Sequence, residues 1–435
     1  MRSGEARSPG WAAGPAPAAV GGGRAPAWRA HGPSWRRGGG APRSALADLG
    51  RGIRQDPIEV LQAQAAGWAP ELAALRHRRM LASAFAFSRG AVAVMAADLA
   101  LAPSTGLIVQ LCGDAHVSGF ALAAGAAGRP AVALAAFDET LPGPFEWDVK
   151  RFVASLEVAA RTRALPARAT RRLVLTAAAG YRRAMRRVAS SGRGAGRAAV
   201  AAWPGRRSAG PPPLWALDGG HPDAAGAMSA LLAACRPGLP ARHRRRLDRL
   251  GVAGVAPVTG RLEEAGPIAW DVLLARPDAS ESVVLRFKEA RRSALEPYLG
   301  PSVHAHPGRR IAEGRRLLQP AGDDLLGWAS GAGPDGAPRD FQLHQRAPAA
   351  ARPDVERLPA GRLATHAEHC GAALALAHAR SSDPIAIAGY LGDGDAFDQA
   401  MAAFARAYAD VVEHDHELLV HAAAAGMLDV APAPS

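Results

Sequence analysis

Asparagine is absent from this chain of 435 residues, and lysine occurs only at Lys150 and Lys288. The 52 basic residues are otherwise all arginine. Richness in Ala, Gly, Pro and Arg, with almost no Lys and no Asn, is the imprint of a GC-rich genome. The formal charge of +13 and pI near 10.9 are read the same way. Aromatics make up 5% and are not interleaved with the basic clusters, so no platform for stacking nucleic-acid bases is visible and that partner is not expected. Three widely spaced cysteines, Cys112, Cys235 and Cys370, match no metal spacing and suit a reducing cytoplasm. No apolar run approaches a membrane span, and the N-terminus lacks a signal peptide's apolar core. Against this background a retained lysine either marks a site needing a compact ammonium or has survived by chance.

What is present is enough for a large core: 49% of the residues are hydrophobic and 21% charged. Length points to two or three domains or lobes. Residues 1–45 are Gly/Pro/Ala/Arg-rich without hydrophobic period, and read as disordered or as an over-extended gene start. Residues 46–190 form a helical lobe, 191–223 a Gly/Pro-rich linker, 224–345 a β-rich lobe and 346–435 C-terminal helices.

The most informative stretch runs from Leu111 to Arg151. Ile108 to Cys112 is an apolar run with the look of a buried strand, broken by Gly113-Asp114-Ala115-His116. A second strand, Ala131 to Phe137, delivers Asp138 and Glu139. Pro142-Gly143-Pro144 predicts a turn, and Glu146-Trp147-Asp148 opens an amphipathic helix carrying Lys150 and Arg151. Several acids, a histidine and a lysine are thus expected at the ends of two adjacent strands, where open α/β frameworks place their chemistry. Further helices are predicted at Asp56 to Leu61, Glu71 to Met80, within Ala82 to Leu99, at Ala167 to Ala189, Ile311 to Leu318, Leu363 to Arg380 and Asp395 to Val420. Strands are predicted in VAGVAPVTG, AWDVLLA and SVVLRFKEA, at Leu325 to Trp328 and at Asp340 to Gln345.

GDAH, FDETLPGPFEWDVKR and ASAFAFSRGAVAVMAADLA, with LRFKEARRSALEPYLG and the helix CGAALALAHARSSD further on, resemble the bacterial family named domain of unknown function 2252. More distantly, GDAH followed by FDE and WD is similar to the catalytic segment of aminoglycoside- and choline-kinase-like phosphotransferases. That resemblance implies an α+β, kinase-like two-lobed fold, mostly helical with a small β-rich lobe. It also implies ATP as cofactor, and as partners a nucleotide together with an acceptor or protein that the sequence does not identify. Asp114 would be the catalytic carboxylate and His116 its orienting neighbour, unless His116 is a core histidine bonded to backbone. Lys288, following the strand VVLRF, would hold phosphate, with Glu313 on the next helix pairing with it first and Asp138 or Glu139 second; the plain alternative is a surface lysine. Arg89 would reach a phosphate or else pair with Asp98 or a nearby carboxylate. Asp148 is expected to cap or buttress its helix, and Lys150 to pair with Glu146 at (i, i+4). Because Lys288 lies downstream of Asp114, the kinase-like pieces fit a circular permutation.

The departures bear on the metal. Three residues past His116, where the family and the phosphotransferases usually carry a metal-binding Asn, stands Gly119. Where the family usually reads N-D-F-D-E, this chain reads Ala135-Ala136-Phe137-Asp138-Glu139, leaving Asp138 and Glu139 as stand-in metal ligands. Alanine and glycine supply no side-chain oxygen for magnesium. The sequence therefore supports a cytoplasmic, kinase-like protein with an eroded magnesium site, acting as a weak phosphotransferase or a pseudoenzyme. The alternatives are a non-catalytic interaction or regulatory scaffold, and a hydrolase using Asp114 and His116 for which no nucleophile is visible.

Overall fold

The computed structural model describes residues 40–124, 130–191, 224–258, 268–278, 280–319, 325–346 and 352–432. The predicted linker at 191–223 and most of the predicted N-terminal extension lie outside the described residues. The extension's last residues belong to the folded body: Arg43–Ala47 form a 3-10 turn whose Leu46 is fully buried, and Tyr390 donates a hydrogen bond to the Ala41 carbonyl at 2.8 Å.

Capping chemistry starts the first helices. Asp56 accepts from the Ile58 N–H at 2.7 Å and Pro57 fills the first helical position, so α1 runs Pro57–Ala65. Then come α2 (Pro70–Met80), α3 (Ala84–Gly90, capped by Ser83) and α4 (Val92–Leu101). No single helix among the described residues is long and apolar enough to cross a membrane; α3 and α4 pass that test only together, bent by 77°.

The next strands differ from expectation. β1 (Ile108–Leu111) and β3 (Pro130–Leu134) are not neighbours; β1 pairs with β4 (Leu141–Pro144), and β3 with β2 (Phe120–Ala124), as two separate two-stranded antiparallel sheets. Pro142-Gly143-Pro144 is thus strand rather than turn, with Pro142 opposite Gln110 and Pro144 opposite Ile108. Each strand of a two-stranded sheet keeps a free edge, where a missing proline N–H costs nothing. α5 (Phe145–Thr162) turns no face to solvent over most of its length: every residue from Phe145 to Ala160 is buried, charged ones included. α6 (Ala167–Ser190) packs closely on α11 (Ala360–Ser381), and a Cβ added at Gly371 would lie 2.3 Å from the Ala177 carbonyl oxygen. Only glycine permits that approach.

After α7 (Ala224–Cys235) and α8 (Ala241–Leu247) comes an antiparallel sheet in the order β5-β6-β7-β9-β8. Its strands are β5 (Gly251–Pro257), β6 (Ala269–Ala275), β7 (Ser282–Glu289), β8 (Leu326–Ala332) and β9 (Pro338–Gln345). Between β7 and β8 lie α9 (Glu296–Leu299) and α10 (Pro307–Leu318). Along β7, Val283, Leu285, Phe287 and Glu289 are buried and alternate with less buried Arg286 and Lys288, the period expected of a strand with two unlike faces. Leu285, Phe287 and Leu343 share a small core with Met228, Leu231 and Cys235 of α7. A larger core unites α5, α6, α11, α12 (Pro384–Leu391) and α13 (Ala396–Ala424) with β1. The fold is α+β, with helices predominating and small sheets.

Candidate functional site

The loop after β1 is held rigidly from behind. Gly113 has φ +86°, and a Cβ there would stand 2.3 Å from the Glu139 carbonyl oxygen, so glycine alone makes the turn. Asp148 accepts from the backbone N–H groups of Cys112 at 2.8 Å and Gly113 at 3.0 Å. His378 Nε2 lies 3.1 Å from the same carboxylate, and its Nδ1 2.9 Å from the Tyr181 hydroxyl. Asp148 therefore buttresses the loop that carries Asp114, not its own helix.

Asp114 is gripped on one oxygen by Arg151, through Nε at 3.0 Å and Nη2 at 2.8 Å. His116 Nε2 is 3.7 Å from the other oxygen, too long for a hydrogen bond, and the ring is fully buried. The side chain that hydrogen-bonds Asp114 is thus Arg151 rather than His116. Burial opposes ionisation of Asp114, but the charges of Arg151, His116 and Arg76 outweigh it and hold its pKa below the ordinary value.

Asp138 joins the loop after β3 to the five-stranded sheet. Its Oδ2 lies 2.6 Å from Lys288 Nζ, and its Oδ1 accepts from Gln342 Nε2 at 2.6 Å. Lys288 and Gln342 are directly opposed in the β7–β9 ladder, so one cross-strand pair holds both oxygens. Glu139 accepts from the Ala294 N–H at 2.6 Å and lies 3.0 Å from Ser293 Oγ. Burial raises its pKa, against the pull of Arg310. Arg310, buried, donates to the carbonyls of Thr140 at 2.7 Å, Asp138 at 2.7 Å and Arg291 at 2.9 Å, fastening this loop to the segment after β7.

Three expected pairs are not formed. Glu313 pairs with Arg316 at 2.9 Å rather than with Lys288, because α10 buries Arg310, Ile311, Gly314 and Leu318 and leaves Glu313 outside that face. Asp98 is taken by Arg54 at 2.7 Å and by the Tyr408 hydroxyl at 2.7 Å; Arg89 instead lies over the Phe85 ring at 5.1 Å. Glu146 accepts from Thr105 N–H at 2.8 Å and Oγ1 at 2.7 Å, leaving Lys150 over the Phe404 ring at 4.5 Å.

A cavity of about 1030 Å³ lies between the loops and the sheet, and Asp114, Asp138, Glu139, Lys288 and Arg89 all line it. His116 and Glu313 are not among its lining residues. Arg76, Trp68 and Gln342 line it too and were not anticipated; nor was Arg151, whose place beside Asp148 and Lys150 in FEWDVKR was the available signal. For magnesium the fit is poor. Asp114, Asp138 and Glu139 are each engaged by protein donors. A Cβ at Gly119 would lie 3.7 Å from Ala136 Cβ and 3.3 Å from the Asp114 carbonyl, so two adjoining positions offer no side-chain oxygen. No group of three His, Cys, Asp or Glu side chains that could hold a metal ion occurs among the described residues. Asp138 and Glu139, the two stand-in ligands, already hold Lys288, Gln342 and the Ala294 N–H.

No curated protein and no solved structure matches the chain. A family model described as an uncharacterized protein conserved in bacteria, domain of unknown function 2252, matches residues 68–203 and 195–422. Those stretches contain Asp114, Asp138, Glu139 and Lys288, and the chain belongs to this bacterial family.

Proposed function

We propose that the cavity is the nucleotide site of a kinase-like, circularly permuted protein working in the cytoplasm as a very weak phosphotransferase or a pseudoenzyme. The observation that carries this reading is that Asp114 and Lys288, distant in sequence and borne by different sheets and loops, line one cavity of nucleotide size. In the reading, Asp114, kept ionised by Arg151, faces the acceptor hydroxyl, and Lys288 with nearby arginines faces the phosphates. Since magnesium does not fit, charge on a transferring phosphoryl group meets arginines and lysine alone, and transfer is slow. A second reading, a non-catalytic scaffold, draws support from the commitment of all three acids to protein donors.

Calorimetry with ATP, with and without magnesium, beside a long-incubation hydrolysis assay, tests both. The expected result is binding that magnesium does not strengthen, with barely detectable turnover. Gly119→Asn with Ala136→Asp brings two oxygens into adjoining positions beside Asp114 and is expected to confer magnesium dependence. Brisk magnesium-dependent turnover by the unaltered protein would refute the eroded site. Absence of ATP binding in both proteins favours the scaffold.

A further inference from the structure

We infer that Arg76 is the anion anchor of this cavity, taking a phosphate group directly and without a metal; the inference rests on the cavity being the ligand site. Arg76 lies on α2 and is one of the residues that line the cavity. Its Cζ is 4.8 Å from the centre of the Trp68 ring, which Arg291 approaches to 4.6 Å, and its Nη2 donates to the Gly90 carbonyl. The group is thus fixed by an aromatic surface and one backbone acceptor.

Three other cations that line the cavity already have carboxylate partners. Lys288 has Asp138 at 2.6 Å, Arg286 has Asp271 at 2.8 Å and Arg291 has Glu289 at 2.8 Å. Arg76 forms no ion pair among the described residues. A desolvated guanidinium without a carboxylate is costly, and burial lowers its pKa to about 10, with Glu139 and Asp114 acting in the opposite direction. Of its five N–H donors one is spent on Gly90, leaving a planar fork of the kind that matches phosphate oxygens. Because the indole holds it in place, less rotamer freedom is lost on binding. The nearby acids do not forbid an anion: Arg151 neutralises Asp114, and burial shifts Glu139 toward its neutral form.

Free pyrophosphate and a nucleotide's phosphates share this chemistry, so titration calorimetry of the full-length chain uses sodium pyrophosphate and ATP, both in EDTA. Unaltered protein is expected to bind both, and Arg76→Gln to lose about tenfold or more in affinity for each, the worth of one charge-assisted contact. Arg76→Lys, which keeps charge but not the fork, is expected to lose several-fold and serves should Arg76→Gln fail a circular-dichroism check of folding. Arg357→Gln, whose side chain is 88% exposed and which is not among the residues lining the cavity, is the control and is expected to bind as the unaltered chain does. Undiminished pyrophosphate binding by folded Arg76→Gln or Arg76→Lys, or none by the unaltered protein, would overturn the anchor. Pyrophosphate bound through Arg76 without ATP keeps the anchor and sinks the nucleotide reading; ATP bound equally by the unaltered protein and Arg76→Gln does the reverse.

Discussion

Around Lys288 the chain assembles a polar face from distant segments, whereas around Lys150 it buries a charge inside a helical core. Lys288 has a carboxylate at 2.6 Å, an amide neighbour across the ladder, and a cavity in front of it. Lys150 is 1% exposed, its Nζ has no hydrogen-bond partner among the described residues, and it lies over the Phe404 ring of α13. A chain that otherwise uses arginine kept a compact ammonium in both places, for unlike reasons. At the cavity a point charge meets one carboxylate; in the core a planar guanidinium with five donors would find still less to bond. A rare residue type therefore marks constraint without saying whether the constraint is functional.

Lys150→Met is the strongest way to separate the two regions. Burial lowers the Lys150 pKa from 10.5 to about 8, Glu146 and Asp48 opposing. Between those values the unfolded chain holds a proton that the folded protein has released, so stability rises with pH across that window. Below about pH 8 the full penalty is present, of order 3 kcal/mol. Methionine fills a similar volume without charge, and Lys150→Met is expected to stabilise the protein by up to about 3 kcal/mol at pH 7 and to abolish the rise between pH 8 and 10.5. Urea denaturation across pH measures both. Destabilisation at pH 7 would mean that the ammonium has a role the core does not reveal.

How far the two regions could be read in advance differs in the same way. The alternation of Val283, Leu285 and Phe287 with Arg286 and Lys288 announces β7 and its two faces, and the long apolar periods of α6, α11 and α13 are equally plain. The Pro-Gly-Pro strand was not legible, because its pairing with β1 is set by tertiary contact that overrides local turn chemistry. Short α9 and α12 carry too few residues for a period. In the candidate site, Asp114, Asp138, Glu139, Lys288 and Arg151 stand in recognisable motifs, but the motifs do not fix which of them meet. Arg76 and Arg151 are two among many arginines, and no local pattern says that Arg151 meets Asp114 or that Asp138 bridges to Lys288. Those contacts belong to the packing of distant segments.

A smaller effect probes the Lys288 side. Asp138→Asn removes a carboxylate, itself 34% exposed, from an ammonium whose side chain is 13% exposed. Partial solvation limits the cost to about 1 kcal/mol in urea denaturation. Released from its partner, Lys288 is expected to bind pyrophosphate a few-fold more tightly in calorimetry. A loss of several kcal/mol would place Lys288 with Lys150, as a lysine whose surroundings serve stability first.

The smallest effect is expected at Glu313, which resemblance to kinases nominated as the partner of Lys288. It sits one turn from Arg316 with both side chains about one-third exposed. An exposed (i, i+3) pair contributes a few tenths of a kcal/mol and is weakened further by salt. Glu313→Gln is therefore expected to change stability by less than about 0.5 kcal/mol and to leave ATP and pyrophosphate affinity unaltered. If Glu313 instead swung to Lys288 on ligand binding, the variant would weaken ATP without touching the stability of the free protein. That split between binding and stability is the outcome to look for, since it would replace Asp138 by Glu313 in the ligand-bound site. Equal affinities leave Asp138 as the residue that sets Lys288 in place.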